Sequence, residues 1–187
     1  MIVTTTDLEQ YSLILIASTN EHPSPKLVEV NWLPKDDISW RASKSFAQLK
    51  KHYRLSADDF SFIDSNSLSR KDPSQALLLT AIDQLDEYAA GKRKVFDLPL
   101  DLSLGTEFQQ KVWRALQDIN YGETISYATL AQNVNNPKGY RAVANANGKN
   151  PFSIIVPCHR VIASDGKLGG YTGGLDKKEY LLALEGV

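Results

Sequence analysis

A single sulfur is available for nucleophilic chemistry. Cys158 is the only cysteine in 187 residues, and it lies in the run Pro157-Cys158-His159-Arg160. The reactive form of a cysteine is the thiolate, which imidazole and guanidinium neighbours favour. The flanking residues therefore point to a nucleophile with a base and a cation close by. The bland alternative is a small buried hydrophobe, which is what a lone cysteine usually is. Residues 153–156 read as a short apolar strand that delivers Cys158 at its end. In a strand His159 faces away from its neighbour's side chain, so a proton relay between them needs a bridging water or a sharp bend. No nucleotide-binding loop, paired-carboxylate motif or cofactor pattern accompanies the cysteine, and no cofactor is expected.

Several elements must position these groups. Thr106 and Gln109 have capping-box spacing, and Phe108, Val112, Trp113 and Leu116 then form a helical stripe. Tyr121-Gly122-Glu123 turns the chain, and Ser126 can cap a second helix carrying Tyr127, Leu130 and Val134. Asn136-Pro137-Lys138-Gly139 breaks that helix, and a third is expected over Tyr140–Asn147. Two short helices joined by a tight, glycine-containing turn have the outline of a helix-turn-helix, which many purely structural helix pairs share. Asn150-Pro151 turns the chain into the cysteine segment. Loops at Ser164-Asp165-Gly166 and 169–174 lead to a closing helix over Leu175–Glu185, with Leu181, Leu182 and Leu184 inward.

The first half reads as mixed α/β. Residues 11–18 and 26–33 are strand-like, separated by the turn-prone Asn20-Glu21-His22-Pro23-Ser24-Pro25. Asp72-Pro73 opens a helix whose expected buried face is Leu77, Ile82, Leu85 and Tyr88, and Gly91 ends it. Residues 96–101 look like an extended connector, and a domain boundary is placed near Ser103. Net charge is −1, which excludes a strongly basic nucleic-acid protein. Residues 1–103 hold 12 Lys/Arg against 15 Asp/Glu, whereas 104–187 hold 9 against 7. A nucleic-acid contact is thus expected in the second half, through shape and local contacts. The apolar runs are too short to span a bilayer, the N-terminus has no signal-peptide pattern, and one cysteine suits a reducing compartment. These features predict a cytoplasmic protein, nuclear if its source is eukaryotic.

Asn150-Pro151, followed by Ile154-Ile155-Val156-Pro157-Cys158-His159-Arg160-Val161-Ile162, resembles the active-site segment of the O6-alkylguanine-DNA alkyltransferases. The resemblance extends through Arg141-Ala142-Val143, Gly170-Tyr171-Thr172-Gly173-Gly174-Leu175 and Lys178-Glu179-Tyr180-Leu181-Leu182 to Glu185-Gly186. It covers roughly residues 104–186 and implies an α+β protein. Residues 1–103 would form a mixed α/β, ribonuclease H-like domain. Residues 104–187 would form a helical, winged-helix-like domain that binds DNA and accepts the alkyl group.

The resemblance also implies roles. Cys158 would be the acceptor, His159 a base acting through water, and Glu185 the carboxylate that orients the imidazole. Tyr127 would donate to the departing guanine, and Asn150 would shape the active-site turn. Pro157, Tyr171, Thr172 and Asn147 would line the pocket. Arg141 would fill the gap left by an extruded nucleotide, with Ala142, Ala144, Asn145 and Ala146 along the minor groove. Ala144-Asn145 departs from the glycines many relatives carry there. From the residues alone, Tyr127 is equally core packing, Asn150 a turn, Arg141 a solvated charge and Glu185 a helix-end glutamate. Some relatives hold a structural zinc in the first half. This chain offers only His22 and His52 there, too few for about four ligands, so no metal is expected.

The implied activity is irreversible, stoichiometric transfer from O6-alkylguanine, and from O4-alkylthymine, to Cys158 of a monomer bound to double-stranded DNA. A lesion-binding module and a turning-over cysteine hydrolase are the alternatives. The cysteine itself argues against the first, and adjacent Cys-His spacing against the second.

Overall fold

The computed structural model describes residues 1–19, 24–33 and 40–187. Four residues of the expected turn, His22 among them, lie outside those described. The chain forms two compact units, Met1–Leu104 and Gly105–Val187. It is α+β, a mixed-sheet unit followed by a helical one.

In the first unit, β1 (Ile2–Leu8) and β2 (Tyr11–Ala17) form an antiparallel hairpin, with Leu8 opposite Tyr11. β3 (Leu27–Trp32) pairs antiparallel with β2, and the short β4 (Ser61–Phe62) runs parallel to β1. The sheet order is β3-β2-β1-β4. The run Leu13 to Ala17 is wholly buried, as expected of a strand covered on both faces. Val3, Ile14, Ile16 and Val28 meet Trp40, Phe46, Leu49 and Phe60 in one core cluster. Phe46 and Leu49 are the buried residues of α1 (Lys44–Tyr53), which Ser43 caps through its bond from the Phe46 N–H.

Asp72 caps α2 (Pro73–Ala89) by accepting from the Gln75 N–H, with Pro73 at the first position. The buried face of α2 differs from the expected one. Ser74, Leu78, Ala81, Leu85 and Tyr88 are buried, whereas Leu77 and Ile82 are half-exposed. The run Leu77-Leu78-Leu79 fits more than one helical phase, and packing on β1 and β2 selects the 74-78-81-85-88 stripe. The connector is extended and bridges β3: Leu27 donates to Pro99 and accepts from Asp101.

In the second unit the Thr106–Gln109 capping box is formed in both directions at the start of α3 (Glu107–Gln117). Val112, Trp113 and Leu116 face the interior. Trp113 lies so close to Gly105 that a Cβ there would sit 2.4 Å from the indole ring. Ser126 ends β5 (Ile125–Ser126) and caps α4 (Tyr127–Asn133). The chain then turns into α5 (Tyr140–Asn147). The Asn136 side-chain amide packs over Gly139, where a Cβ would fall 2.1 Å from its nitrogen and would have to displace it. α3, α4 and α5 pack against one another, which gives the helix pair its helix-turn-helix form. β6 (Val161–Ile162) pairs parallel with β5, and α6 (Leu175–Glu185) closes the unit.

Candidate active site

Residues 153–156 are a compact turn, which corrects the strand expected there. The Val156 N–H returns to the Phe152 carbonyl at 2.9 Å, and Ile154 adopts a φ of 71°. A β-branched residue in the left-handed region is strained and needs surrounding support. Asn150 supplies it. Its Oδ1 accepts from the Phe152 N–H at 2.9 Å, and its Nδ2 donates to the carbonyls of Val156 at 2.8 Å and Phe152 at 3.2 Å. The same Nδ2 lies 3.2 Å from Cys158 Sγ. Apolarity alone does not distinguish a strand from a buried turn, and here the asparagine decides.

Pro157 precedes a single 3-10 turn over Cys158–Arg160, so the sharp bend anticipated at the cysteine is present. Pro157 is buried and Cys158 is 6% exposed. His159 is fully buried, and its Nε2 lies 2.8 Å from Glu185 Oε1. The carboxylate can only accept there, so Nε2 carries the proton and Nδ1 keeps a lone pair. Nδ1 is buried without a hydrogen-bond partner among the described residues.

Arg160 has a role that sequence reasoning missed: read there as a cation favouring the thiolate, it is turned onto Glu185 instead. Its Nε donates to Glu185 Oε2 and its Nη2 to Oε1, both at 2.9 Å, while Nη1 reaches the Ile119 carbonyl at 2.6 Å. Gly122 N–H also donates to Glu185 Oε2 at 3.1 Å, and the guanidinium lies over Tyr121. Glu185 is thus a buried carboxylate with a bidentate arginine and an imidazole, rather than an exposed helix-end glutamate. A signal was available in the sequence: Arg160 is a charged residue two positions from Cys158 inside an apolar run.

Lys178 was the second omission. It is fully buried on α6, and its Nζ donates to the carbonyls of Val161 and Leu168. Burial pushes its pKa down to about 8, and the charge of Cys158 works the other way. Burial raises the Cys158 thiol above its ordinary value, opposed by hydrogen bonding to Asn150, the charge of Lys178 and hydrogen bonding to Tyr171. Burial lowers the His159 pKa, although Glu185 pulls it upward. A neutral imidazole beside a reluctant thiol is the combination a base-assisted nucleophile needs.

The other expected residues fall into two groups. Asn147, Tyr127, Tyr171 and Thr172 surround the cysteine turn or the loop after it. Asn147 Nδ2 lies 3.4 Å from the Cys158 carbonyl. The Tyr127 hydroxyl donates to Gly170 at 3.3 Å, and burial raises its pKa, with the charge of Cys158 adding to the effect. Thr172 Oγ1 donates to the Gly148 carbonyl at 2.6 Å. The second group lies on α5, where Arg141, Ala142 and Asn145 are exposed and Ala144 is half-exposed. Ala146 does not share that face. It is buried, and its carbonyl accepts from Trp113 Nε1 at 2.9 Å.

Among the described residues no group of three or more His, Cys, Asp or Glu side chains could hold a metal ion. No helix among them is long and apolar enough to cross a membrane.

Together, fold and site define a two-unit protein whose helical unit combines a helix-turn-helix with a buried cysteine beside a histidine–glutamate–arginine network. The family described as "6-O-methylguanine DNA methyltransferase, DNA binding domain" matches residues 107–187. A methylated-DNA–protein-cysteine methyltransferase of Mycobacterium bovis is 53% identical over 113 residues, covering 60% of this chain and 68% of that protein. One from Mycolicibacterium paratuberculosis is 58% identical over 105 residues, covering 56% of this chain and 63% of the relative, less than two thirds of its length. The crystal structure of Mycobacterium tuberculosis OGT in complex with DNA superposes with a TM-score of 0.73 at 36% identity, covering 99% of this chain and 92% of that one. The chain belongs to the 6-O-methylguanine-DNA methyltransferase family.

Proposed function

We propose that this protein reverses alkylation damage in DNA by moving the alkyl group of O6-alkylguanine, and of O4-alkylthymine, irreversibly onto Cys158. The observation that carries the reading is the imidazole of His159: Nε2 is committed to Glu185, while Nδ1 is buried and unpartnered one residue from the sulfur. In the proposed reaction Nδ1 takes the thiol proton through a water. The thiolate then attacks the alkyl carbon, the S–C bond forms and the O–C bond breaks. The electron pair of that bond stays with the base, which gains a proton as Tyr127 donates to its ring nitrogen. The proton that His159 took returns through solvent to the Tyr127 phenolate, so one thiol proton is lost and one base proton gained. The thioether has no leaving group that water can displace under mild conditions, so each chain acts once.

The lesion lies inside a stacked duplex and must be turned out before sulfur can approach in line. Arg141 on the exposed face of α5 would occupy the vacated space, while Ala142, Ala144 and Asn145 lie against the minor groove. Asn147, Pro157, Tyr171 and Thr172 would line the pocket. The proposed division of labour puts DNA binding and alkyl acceptance in 104–187, with the chain acting as a monomer in the compartment that holds DNA.

The test mixes the protein with a duplex carrying O6-methylguanine and maps the modified peptide by mass spectrometry. One methyl per chain on Cys158, with stoichiometric repair, is expected. Unmodified Cys158 beside unrepaired DNA overturns the reading. Multiple turnovers on an ester or amide through Cys158 would replace it with a hydrolase.

A further inference from the structure

On the exposed face of α5 one residue stands out by size. Arg141, Ala142, Ala144 and Asn145 are joined there by Tyr140, a large aromatic that remains 49% exposed at the first position of the helix. Its hydroxyl makes no hydrogen bond among the described residues, so neither burial nor a polar contact accounts for the ring. The ring does have one neighbour of consequence. The guanidinium carbon of Arg141 lies 5.7 Å from its centroid, within the range in which a cation is attracted to an aromatic face.

The backbone beneath this pair is fixed. The Asn136 side-chain amide packs over Gly139, and the Gly139 N–H closes back on the Asn136 carbonyl at 2.9 Å. One helical turn further on, the Val143 N–H bonds the Gly139 carbonyl at 3.0 Å, and Val143 is fully buried. Tyr140 and Arg141 therefore project from a rigid corner, and only their side chains remain to be ordered. A free arginine loses considerable rotamer freedom when it is placed in a stack of bases. An adjacent aromatic face limits that loss by holding the planar guanidinium before DNA arrives.

We propose that Tyr140 is a positioning residue that preorganises Arg141 for insertion into duplex DNA. This rests on the reading of Arg141 given above. Tyr140 touches neither the sulfur nor the reacting base. Its contribution is specific to substrates that must be turned out of a helix, and a free O6-alkylguanine base makes no such demand.

The experiment measures single-turnover transfer to the full chain from an O6-methylguanine duplex and from free O6-methylguanine, and compares the ratio of the two rates. Tyr140→Ala is expected to lower the duplex-to-free-base ratio roughly two- to fivefold, the range of an exposed cation–π contact. Tyr140→Phe keeps the face and the native ratio. In the double variant Tyr140→Ala/Arg141→Ala the ratio equals that of Arg141→Ala alone, because Tyr140 acts through the arginine. A native ratio in Tyr140→Ala, or effects that multiply in the double variant, overturns the proposal. A native protein that transfers nothing from either substrate overturns the functional reading and this inference together. A native ratio in Arg141→Ala removes the arginine's role while leaving transfer to Cys158 standing, and it too overturns the inference.

Discussion

Among the described residues each unit of the molecule buries one glutamate, and the two are treated in opposite ways. Glu185 in the helical unit receives two bonds from Arg160, one from His159 and one from the Gly122 N–H. Glu29, on β3 of the sheet unit, receives only the neutral donors Ser45 and Asn31, and its second oxygen has no partner among the described residues. Burial raises the Glu29 pKa, and the bonds from Ser45 and Asn31 only partly oppose this. A carboxylate meant to stay charged in a protein interior needs a countercharge and a full set of donors. Glu185 has both, which fits it to hold an imidazole in one tautomer. Glu29 has neither a countercharge nor a full set of donors, so burial weighs against its ionised form.

The contrast can be broken in several places. The largest expected effect is on chemistry. Glu185→Gln removes the charge that orients His159 and should slow single-turnover methyl transfer by about 10²- to 10⁴-fold. A loss smaller than tenfold would erase the functional distinction between the two acids. Next comes stability. Arg160→Ala strands Glu185 as a buried charge and should cost about 3–5 kcal/mol, read from urea unfolding. If the loss is below 1 kcal/mol, the network is not what secures the carboxylate.

Smaller effects sharpen the picture. Asn150→Ala leaves the Phe152 N–H and the Val156 carbonyl unsatisfied and frees the strained Ile154 turn, for a cost of about 1–3 kcal/mol. Thiol titration of that variant should also show a higher Cys158 pKa, because a donor to sulfur is gone. Glu29→Gln is expected to have the least effect, and its sign depends on pH. A carboxyl whose folded pKa is raised contributes stability that is fully present below its ordinary value and lost as pH rises through the raised one. The native melting temperature should therefore carry a falling component from acidic pH upward that Glu29→Gln removes. An unchanged pH dependence would show that Glu29 is ionised without penalty.

Much of the helical unit was legible because its punctuation is local. The Thr106–Gln109 box, the Ser126 cap and the Gly139 break each act within four residues, and each is found where its spacing places it. The first unit was harder to read. The Ile2–Leu8 strand carries three consecutive threonines that blur its alternation, and α1 has only Phe46 and Leu49 to declare a buried face. Both elements exist through pairing and packing with distant segments. In the site, Cys158 and His159 could be singled out because they are neighbours in sequence, whereas Asn150, eight positions earlier, reads locally as a turn and was picked out through the family resemblance. That Arg160 grips Glu185, 25 positions away, could not be read locally. Lys178 was hidden for the same reason, since nothing around it in sequence requires a lysine to be buried.

Electroneutrality gives the Lys178 ammonium a further meaning. Among the buried ionisable groups around the sulfur, Arg160 and Lys178 carry two positive charges, Glu185 carries one negative charge, and neutral His159 adds nothing. That set sums to one positive charge while Cys158 is a thiol, and to zero only when the sulfur is an anion whose proton has left the site altogether. Under the proposed transfer, an uncharged thioether would return the interior to the one unmatched cation it carries beside the thiol.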